Sequence, residues 1–185
     1  MRKILKNKKG LSTVVTTLII LVVSVLLATV VTYYAINVTS TRVEEESLSL
    51  RKAHVWVNAS SDDTQAAFVI INTGGRDVVI DKITIRGQEI SWSTNVYYAT
   101  TNNTVSNDLI YQSTLNTSTQ INTGSETLTL SAATGDLVLT SGYSMIIYID
   151  DPGSITIQDV GTTVGITVFT AQAQYYKECN VEAAS

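Results

Sequence analysis

The sequence contains very few of the residues that build metal sites, disulfides or catalytic centres. Among its 185 residues there is one cysteine, Cys179, and one histidine, His54. A lone cysteine excludes an intramolecular disulfide, and one cysteine with one histidine falls short of the usual zinc donor set. A catalytic histidine would also need a nucleophile and an orienting acid, and the sequence indicates neither. We therefore expect no enzymatic activity, cofactor or metal, and expect both side chains to pack or hydrogen-bond within the fold.

Acidic residues are absent from the first ten positions, where basic residues are concentrated. Five of the twelve Lys and Arg residues precede residue 10, and the remaining seven stand against sixteen Asp and Glu. Without those first residues the chain carries a formal charge of −9. A chain segment with this much negative charge is poorly suited to bind polyanionic nucleic acid, and we expect no nucleic-acid partner.

Charge is missing altogether from residues 11–36, a run of 26 residues made almost wholly of Leu, Val, Ile, Thr, Ala and Tyr. As a helix this run would extend about 39 Å, which is enough to span the core of a bilayer. It is apolar on every side, so it must be covered by lipid or by other apolar helices. Charges return at Arg42 and Glu44. We predict a helical stem that continues to about Leu50.

From Ala53 onward the pattern changes to short β-branched segments separated by turn residues, which predicts antiparallel β structure. The predicted strands cover residues 54–57, 66–71, 78–86, 127–130, 137–139, 144–149, 155–157 and 164–176. A stretch rich in Asn, Thr and Ser at 91–125 predicts long surface loops, 72–75 predicts a hairpin turn, and 150–153 predicts a second turn. The predicted fold class is α+β, with a long hydrophobic helix followed by an immunoglobulin-like β-sandwich head.

The junction between the basic and apolar segments lies at an unusual place. Lys8-Lys9-Gly10 leads directly into Leu11-Ser12-Thr13-Val14-Val15. An ordinary secretory signal has an apolar region of about 7 to 15 residues with the cleavage site after it, whereas here the run is much longer and the junction precedes it. This arrangement resembles a class III signal peptide. The whole chain resembles the precursor of an archaeal type IV pilin or archaellin.

That resemblance implies a processing site and a domain organisation. A prepilin peptidase would recognise the junction at Lys8, Lys9, Gly10 and Leu11, and would cut between Gly10 and Leu11. The parts would be a signal peptide at 1–10, a hydrophobic helix and stem at 11–52, and a head at 53–185, in the lollipop architecture of type IV pilins. The basic residues favour a cytoplasmic start, which places the head outside the cell. Val15 stands where bacterial type IV pilins usually carry glutamate, so their account of subunit registration does not transfer.

The resemblance also implies partners and a location. The precursor would reside in the cell membrane, and an assembly ATPase with membrane platform proteins would polymerise it into a homo-oligomeric surface filament for adhesion. The residues expected to pack in the filament core are Val14, Leu18, Leu21, Ser24, Val25, Ala28, Thr29 and Thr32. Three alternatives remain open: an archaellin of the swimming filament, a membrane-anchored surface binding protein, and a minor pseudopilin.

Four Asn-x-Ser/Thr sequons are potential N-glycosylation sites in an exported protein. They begin at Asn37, Asn58, Asn102 and Asn116. Asn102 and Asn116 fall in the predicted loops, whereas Asn37 lies where the helix leaves the apolar core and is the least suited. We expect the acidic run at 44–46 to form a solvated face that pairs with Arg42 or Lys52. Asp150, Asp151 and Asp159 do not match the spacing of a calcium loop, and we expect them to form an acidic turn.

Overall fold

The computed structural model describes residues 8–43 and 45–184, with side chains described for 12–40, 45–93 and 95–184. The chain divides after Val43 into two compact units. The first is one long apolar helix, and the second is a mostly β domain, here called the head. The predicted α+β layout is confirmed at this level. Most of the signal peptide predicted at 1–10 lies outside the described residues.

The helix, α1, covers Lys8–Val43 and is 36 residues long. Its segment Ser12–Ser40 is long and apolar enough to cross a membrane. The prediction that a helical stem continues to Leu50 is wrong, because the first strand already begins at Leu48. Leu48 is buried in the head and Leu50 packs against the same core, so the alternation of Leu48-Ser49-Leu50 belongs to a strand with one face inward.

The described head contains twelve strands and two short helical turns. The strands are β1 (Leu48–Asn58), β2 (Asp63–Asn72), β3 (Val78–Ile85), β4 (Gln88–Glu89), β5 (Val96–Thr101), β6 (Gln120–Asn122), β7 (Thr127–Thr129), β8 (Ser131–Ala132), β9 (Leu137–Leu139), β10 (Ser144–Asp150), β11 (Thr163–Thr170) and β12 (Gln174–Ala183). A four-residue helix, α2, covers Trp92–Asn95, and a 3-10 turn covers Ile157–Asp159.

Ten of these strands form one curled sheet. Their order is β4-β3-β11-β12-β1-β2-β10-β5-β8, with β9 also paired to β3. β6 and β7 form a separate hairpin. The pairing is mostly antiparallel, as predicted, but β1 and β12 pair in parallel, with Val55 opposite Val181. A purely antiparallel head is therefore a wrong prediction, and the parallel pair brings the last strand beside the first.

The first core lies between the two halves of the curled sheet. One half contributes Val55, Phe68 and Ile147, and the other contributes Ile83 and Ile166, all at most 1% exposed. Because β-branched and aromatic side chains alternate along these strands, each strand buries one face here.

A second core covers the opposite face of β2 and β10. The segment from residue 102 to 130, here called the cap segment, buries Leu109, Ile121 and Leu130 against Trp56 and Tyr148. β2 and β10 are consequently buried on both faces. The prediction of long surface loops at 91–125 is wrong in this respect, because scattered apolar residues cover the sheet and β5 also lies in that stretch.

Two other predicted strands differ from the structure. The stretch 164–176 is divided between β11 and β12, which form a hairpin. Residues 155–157 form no strand, because Asp159 accepts hydrogen bonds from the backbone N–H and hydroxyl of Thr156 and stabilises the 3-10 turn.

Candidate functional site

The apolar surface of α1 is the most conspicuous feature of the described chain. The side chains of Val14, Leu18, Leu21 and Val25 are between 58 and 64% exposed, and every residue from 12 to 40 is exposed. A continuous apolar helix of this length in water would be strongly unfavourable. Its surface therefore requires lipid or other apolar helices around it.

Several serine and threonine hydroxyls within this apolar surface donate hydrogen bonds to the backbone of the helix itself. Ser24 donates to the carbonyl of Ile20 at 2.7 Å, and Thr32 donates to the carbonyl of Ala28 at 2.8 Å. Thr29 likewise donates to the carbonyl of Val25 at 2.8 Å. These O–H donors need no water, so α1 can enter an apolar environment without leaving them unpaired.

The eight residues predicted to pack in a filament core share one side of α1. Six of them recur at alternating spacings of four and three residues, which keeps them on one stripe at about 3.6 residues per turn. These six are Val14, Leu18, Leu21, Val25, Ala28 and Thr32. Ser24 and Thr29 flank the stripe. The helix thus brings all eight predicted positions to one side.

The predicted cleavage junction lies in the first part of α1 that the structure describes. The backbone of Lys8, Lys9 and Gly10 is helical there. Glycine destabilises a helix by about 1 kcal/mol relative to alanine, so Gly10 favours local unwinding. A protease that binds extended backbone would require such unwinding.

The four sequons occupy different environments. Asn102 and Asn116 are exposed in the cap segment, and the Asn116 side-chain oxygen accepts a hydrogen bond from the N–H of Ser118 at 2.7 Å. Asn58 is half-buried at the end of β1, where its amide donates to the Tyr111 hydroxyl at 3.4 Å. Asn37 lies on α1 within the apolar span. N-glycosylation of all four stays a prediction.

His54 connects three parts of the head, and the expectation that it packs and hydrogen-bonds is confirmed. Its Nε2 lies 3.1 Å from Asp108 Oδ1 in the cap segment, and its Nδ1 lies 3.5 Å from Glu182 Oε1 on β12. The ring also stacks on Trp56 with centroids 5.2 Å apart. Partial burial raises the pKa of Asp108, but the hydrogen bonds from His54 and the Leu109 N–H hold that pKa below its ordinary value.

Cys179 lies on β12, half-buried against the first core. Burial, with a smaller contribution from the charge of Glu182, raises the pKa of its thiol to about 11. The thiol is therefore protonated at neutral pH and is a weak nucleophile.

Acidic side chains in the described head serve local structure. The Arg86 guanidinium donates to Asp159 at 2.8 Å, and this bond, with those from Thr156, holds the pKa of Asp159 below its ordinary value. Glu46 accepts a hydrogen bond from Thr170. Within the described residues, no group of three or more His, Cys, Asp or Glu is arranged to hold a metal ion.

A set of backbone hydrogen bonds that the sequence did not predict lies directly after α1 in the chain. Residues 45–47, here called the neck, are held by residues 72–75, here called the clamp loop. The N–H groups of Thr73 and Gly74 donate to the Ser47 carbonyl at 2.9 and 3.0 Å, and the Gly75 N–H donates to the Glu45 carbonyl at 3.3 Å. The predicted hairpin turn is therefore wrong, since β2 does not pair with β3 and the glycines instead permit close approach to the neck.

Comparisons with protein-family models and with curated proteins found no match.

Proposed function

We propose that this chain is the precursor of a structural subunit of an archaeal type IV pilin-like filament used for surface attachment. The observation that carries the proposal is the exposed apolar helix, whose Ser24 and Thr32 hydroxyls donate to its own backbone, followed along the chain by a folded β head. A role in assembly accounts for both parts, since the helix would bind other subunits and the head would face the solvent. A catalytic role would leave the helix unexplained.

The helix would serve two environments in succession. Lipid covers its apolar surface while the precursor waits in the membrane, and the helices of other subunits cover it in the filament. Burial at about 25 cal/mol per Å² stabilises a helix of this size by tens of kcal/mol relative to water, but by much less relative to lipid. Because moving the helix from lipid to the filament gains little free energy from burial, close packing between helices must stabilise the filament. Ser24, Ala28 and Thr32 are small and leave room for neighbouring backbones.

The head would form the outer surface of the filament. Its two cores consist of head residues. We interpret the curled sheet, whose halves enclose the first core, as a variant of the β-sandwich head in the lollipop architecture. The acidic composition of the head suits a solvated surface outside the cell.

Processing would occur between Gly10 and Leu11 by a prepilin peptidase, after which the assembly ATPase and membrane platform would add the subunit to the filament base. The order of basic residues, glycine and apolar helix supports this site. Retention of the helix after cleavage is what permits polymerisation.

The test is intact-mass measurement and amino-terminal sequencing of protein sheared from cell surfaces, with electron microscopy of the same fraction. We expect abundant fibres whose subunits begin at Leu11. Chains that stay in the membrane and begin at Met1 would refute the proposal in favour of an anchored surface protein. Processed subunits at low copy without fibres would indicate a minor pseudopilin, and loss of swimming on deletion would indicate an archaellin.

A further inference from the structure

A cleft with a volume of about 330 Å³ opens in the head where β1, β2 and β10 meet the beginning of the cap segment. Arg51 and Lys52 line it together with the amides Asn102 and Asn103. The half-buried side chains of Ile71 and Val105 contribute its apolar surface, whereas Val69, which also lines it, is only 1% exposed. No Asp or Glu is among the residues that line it, although the head as a whole is acidic.

A β-bulge brings the two cations to the same cleft. Consecutive residues of a regular strand point to opposite faces, so Arg51 and Lys52 would normally diverge. The register between β1 and β2 shifts between Arg51 and His54, and Lys52 has a φ of 50°. A positive φ is unfavourable for lysine, and bulges of this kind redirect side chains. The local distortion therefore produces the cationic side of the cleft.

Lys52 and Arg51 differ in how many of their hydrogen-bond donors already bind other protein groups. The Lys52 ammonium donates to the carbonyls of Ser106 and Asn107 at 2.6 and 2.5 Å, which leaves one of its three protons. Arg51 donates one long hydrogen bond to Ser49 at 3.4 Å and pairs with no carboxylate among the described residues. Its guanidinium is the group most available to a ligand.

We propose that this cleft binds a carboxylated monosaccharide unit, a hexuronate, of an extracellular polysaccharide. The Arg51 guanidinium would bind the carboxylate, in the bidentate geometry that arginine favours. The exposed Asn102 amide, in its unglycosylated form, would bind hydroxyl groups, and the half-buried side chain of Ile71 would contact the C–H face of the ring. Asn103 is held by Glu126 at 3.1 Å and shapes the wall.

This inference goes beyond filament formation and depends on the head alone. It holds equally for a polymerised subunit and for an anchored one. Its failure would leave the proposed filament function untouched.

The test uses the full chain, produced without N-glycosylation so that Asn102 stays unmodified, in micelles of a detergent that carries no sugar. Titration calorimetry and saturation-transfer NMR would compare D-glucuronate, D-glucose and acetate. We expect a dissociation constant of about 1 mM for glucuronate and weaker binding of the other two. Equal binding of glucose or of acetate, or no binding of glucuronate, would overturn the assignment.

The decisive variant is Arg51→Gln, with Arg76→Gln as the matched control. Arg76 is an exposed arginine of the head that does not line the cleft. Loss of a charge-assisted hydrogen bond predicts about tenfold weaker glucuronate binding for Arg51→Gln and no change for Arg76→Gln. Tryptophan emission verifies that both variants are folded. Unchanged binding by a folded Arg51→Gln protein would disprove the proposed role of the guanidinium.

Discussion

Gly74 shows how one residue joins the neck to the head. A Cβ atom at this position would lie 2.6 Å from the Glu45 carbonyl oxygen and 2.7 Å from the Ser47 nitrogen. Both are backbone atoms, which cannot move aside as the end of a flexible side chain can. The hydrogen bonds from the clamp loop to the neck therefore require glycine here for reasons of space.

We predict that Gly74→Ala destabilises the head by about 2 kcal/mol, the cost of forcing extra volume into a packed site. Both tryptophans, Trp56 and Trp92, lie in the head, so urea unfolding followed by tryptophan emission in mild detergent reports this unit. Gly165→Ala is the matched control, because its new methyl would meet the side chain of Tyr176, which is 61% exposed and can rotate away. Its expected cost is under about 1 kcal/mol. Equal costs for the two variants would contradict the backbone clash.

Asp108 ties the stability of the cap segment to pH. Its pKa in the folded head lies below the ordinary value of 3.8, so the carboxylate stabilises the fold above that value. The contribution is lost as pH falls through the lowered pKa. Protonation weakens the bond to His54 and the attraction of Lys52.

We predict that the difference in urea midpoint between the native chain and Asp108→Asn is largest at about pH 6 and shrinks towards about pH 3. Asp136→Asn is the control, since Asp136 is exposed and makes no hydrogen bond or ion pair within the described part of the chain. A pH-independent difference would show that Asp108 acts through packing instead of charge.

At the scale of elements, the sequence predicts α1 and the change to β structure well, because a long uncharged run and short β-branched runs are local signals. It fails for the burial of the cap segment, because the apolar patch that contains Leu109 is short, Ile121 is isolated among polar residues, and both acquire a role only from the sheet that they cover. β5 did carry a local signal, Val96-Tyr97-Tyr98, which the surrounding Asn and Thr obscured. The bulge at Lys52 and the fit at Gly74 depend on contacts between distant segments, so no local pattern reveals them.

For α1 we predict that Ala28→Leu impairs filament assembly while membrane insertion continues. Leucine adds bulk to the predicted packing stripe, and it is also more apolar than alanine, so insertion is not weakened. Thr16→Leu is the matched control, because Thr16 lies on the side of α1 opposite that stripe, at about 100° per residue. Sheared-fibre yield and membrane fractionation give the two readouts. Equal fibre yields from both variants would mean that this stripe does not contact neighbouring subunits.

For the whole molecule, the order of parts along the chain would determine where a pull on the proposed filament acts. β1 is the first strand after the neck, and it is paired on both sides, with β2 and with β12. Force that reaches the head through the neck thus enters the centre of the sheet, where two strands share it, and the clamp loop adds bonds at the entry point. An edge strand in this position would separate more easily.

The same order places the proposed cleavage junction before the apolar span and the head, and Gly10 is the residue on which processing would depend. We predict that Gly10→Val leaves the full-length precursor in the membrane and abolishes fibres, because a β-branched side chain hinders the backbone at the scissile bond. Gly10→Ala, which adds one methyl, should be cleaved slowly and give fewer fibres. Intact mass separates precursor from mature chain, and tryptophan emission verifies that the head is folded in both variants. Normal fibres built from Gly10→Val subunits that begin at Leu11 would show that cleavage at this junction does not require glycine at position 10.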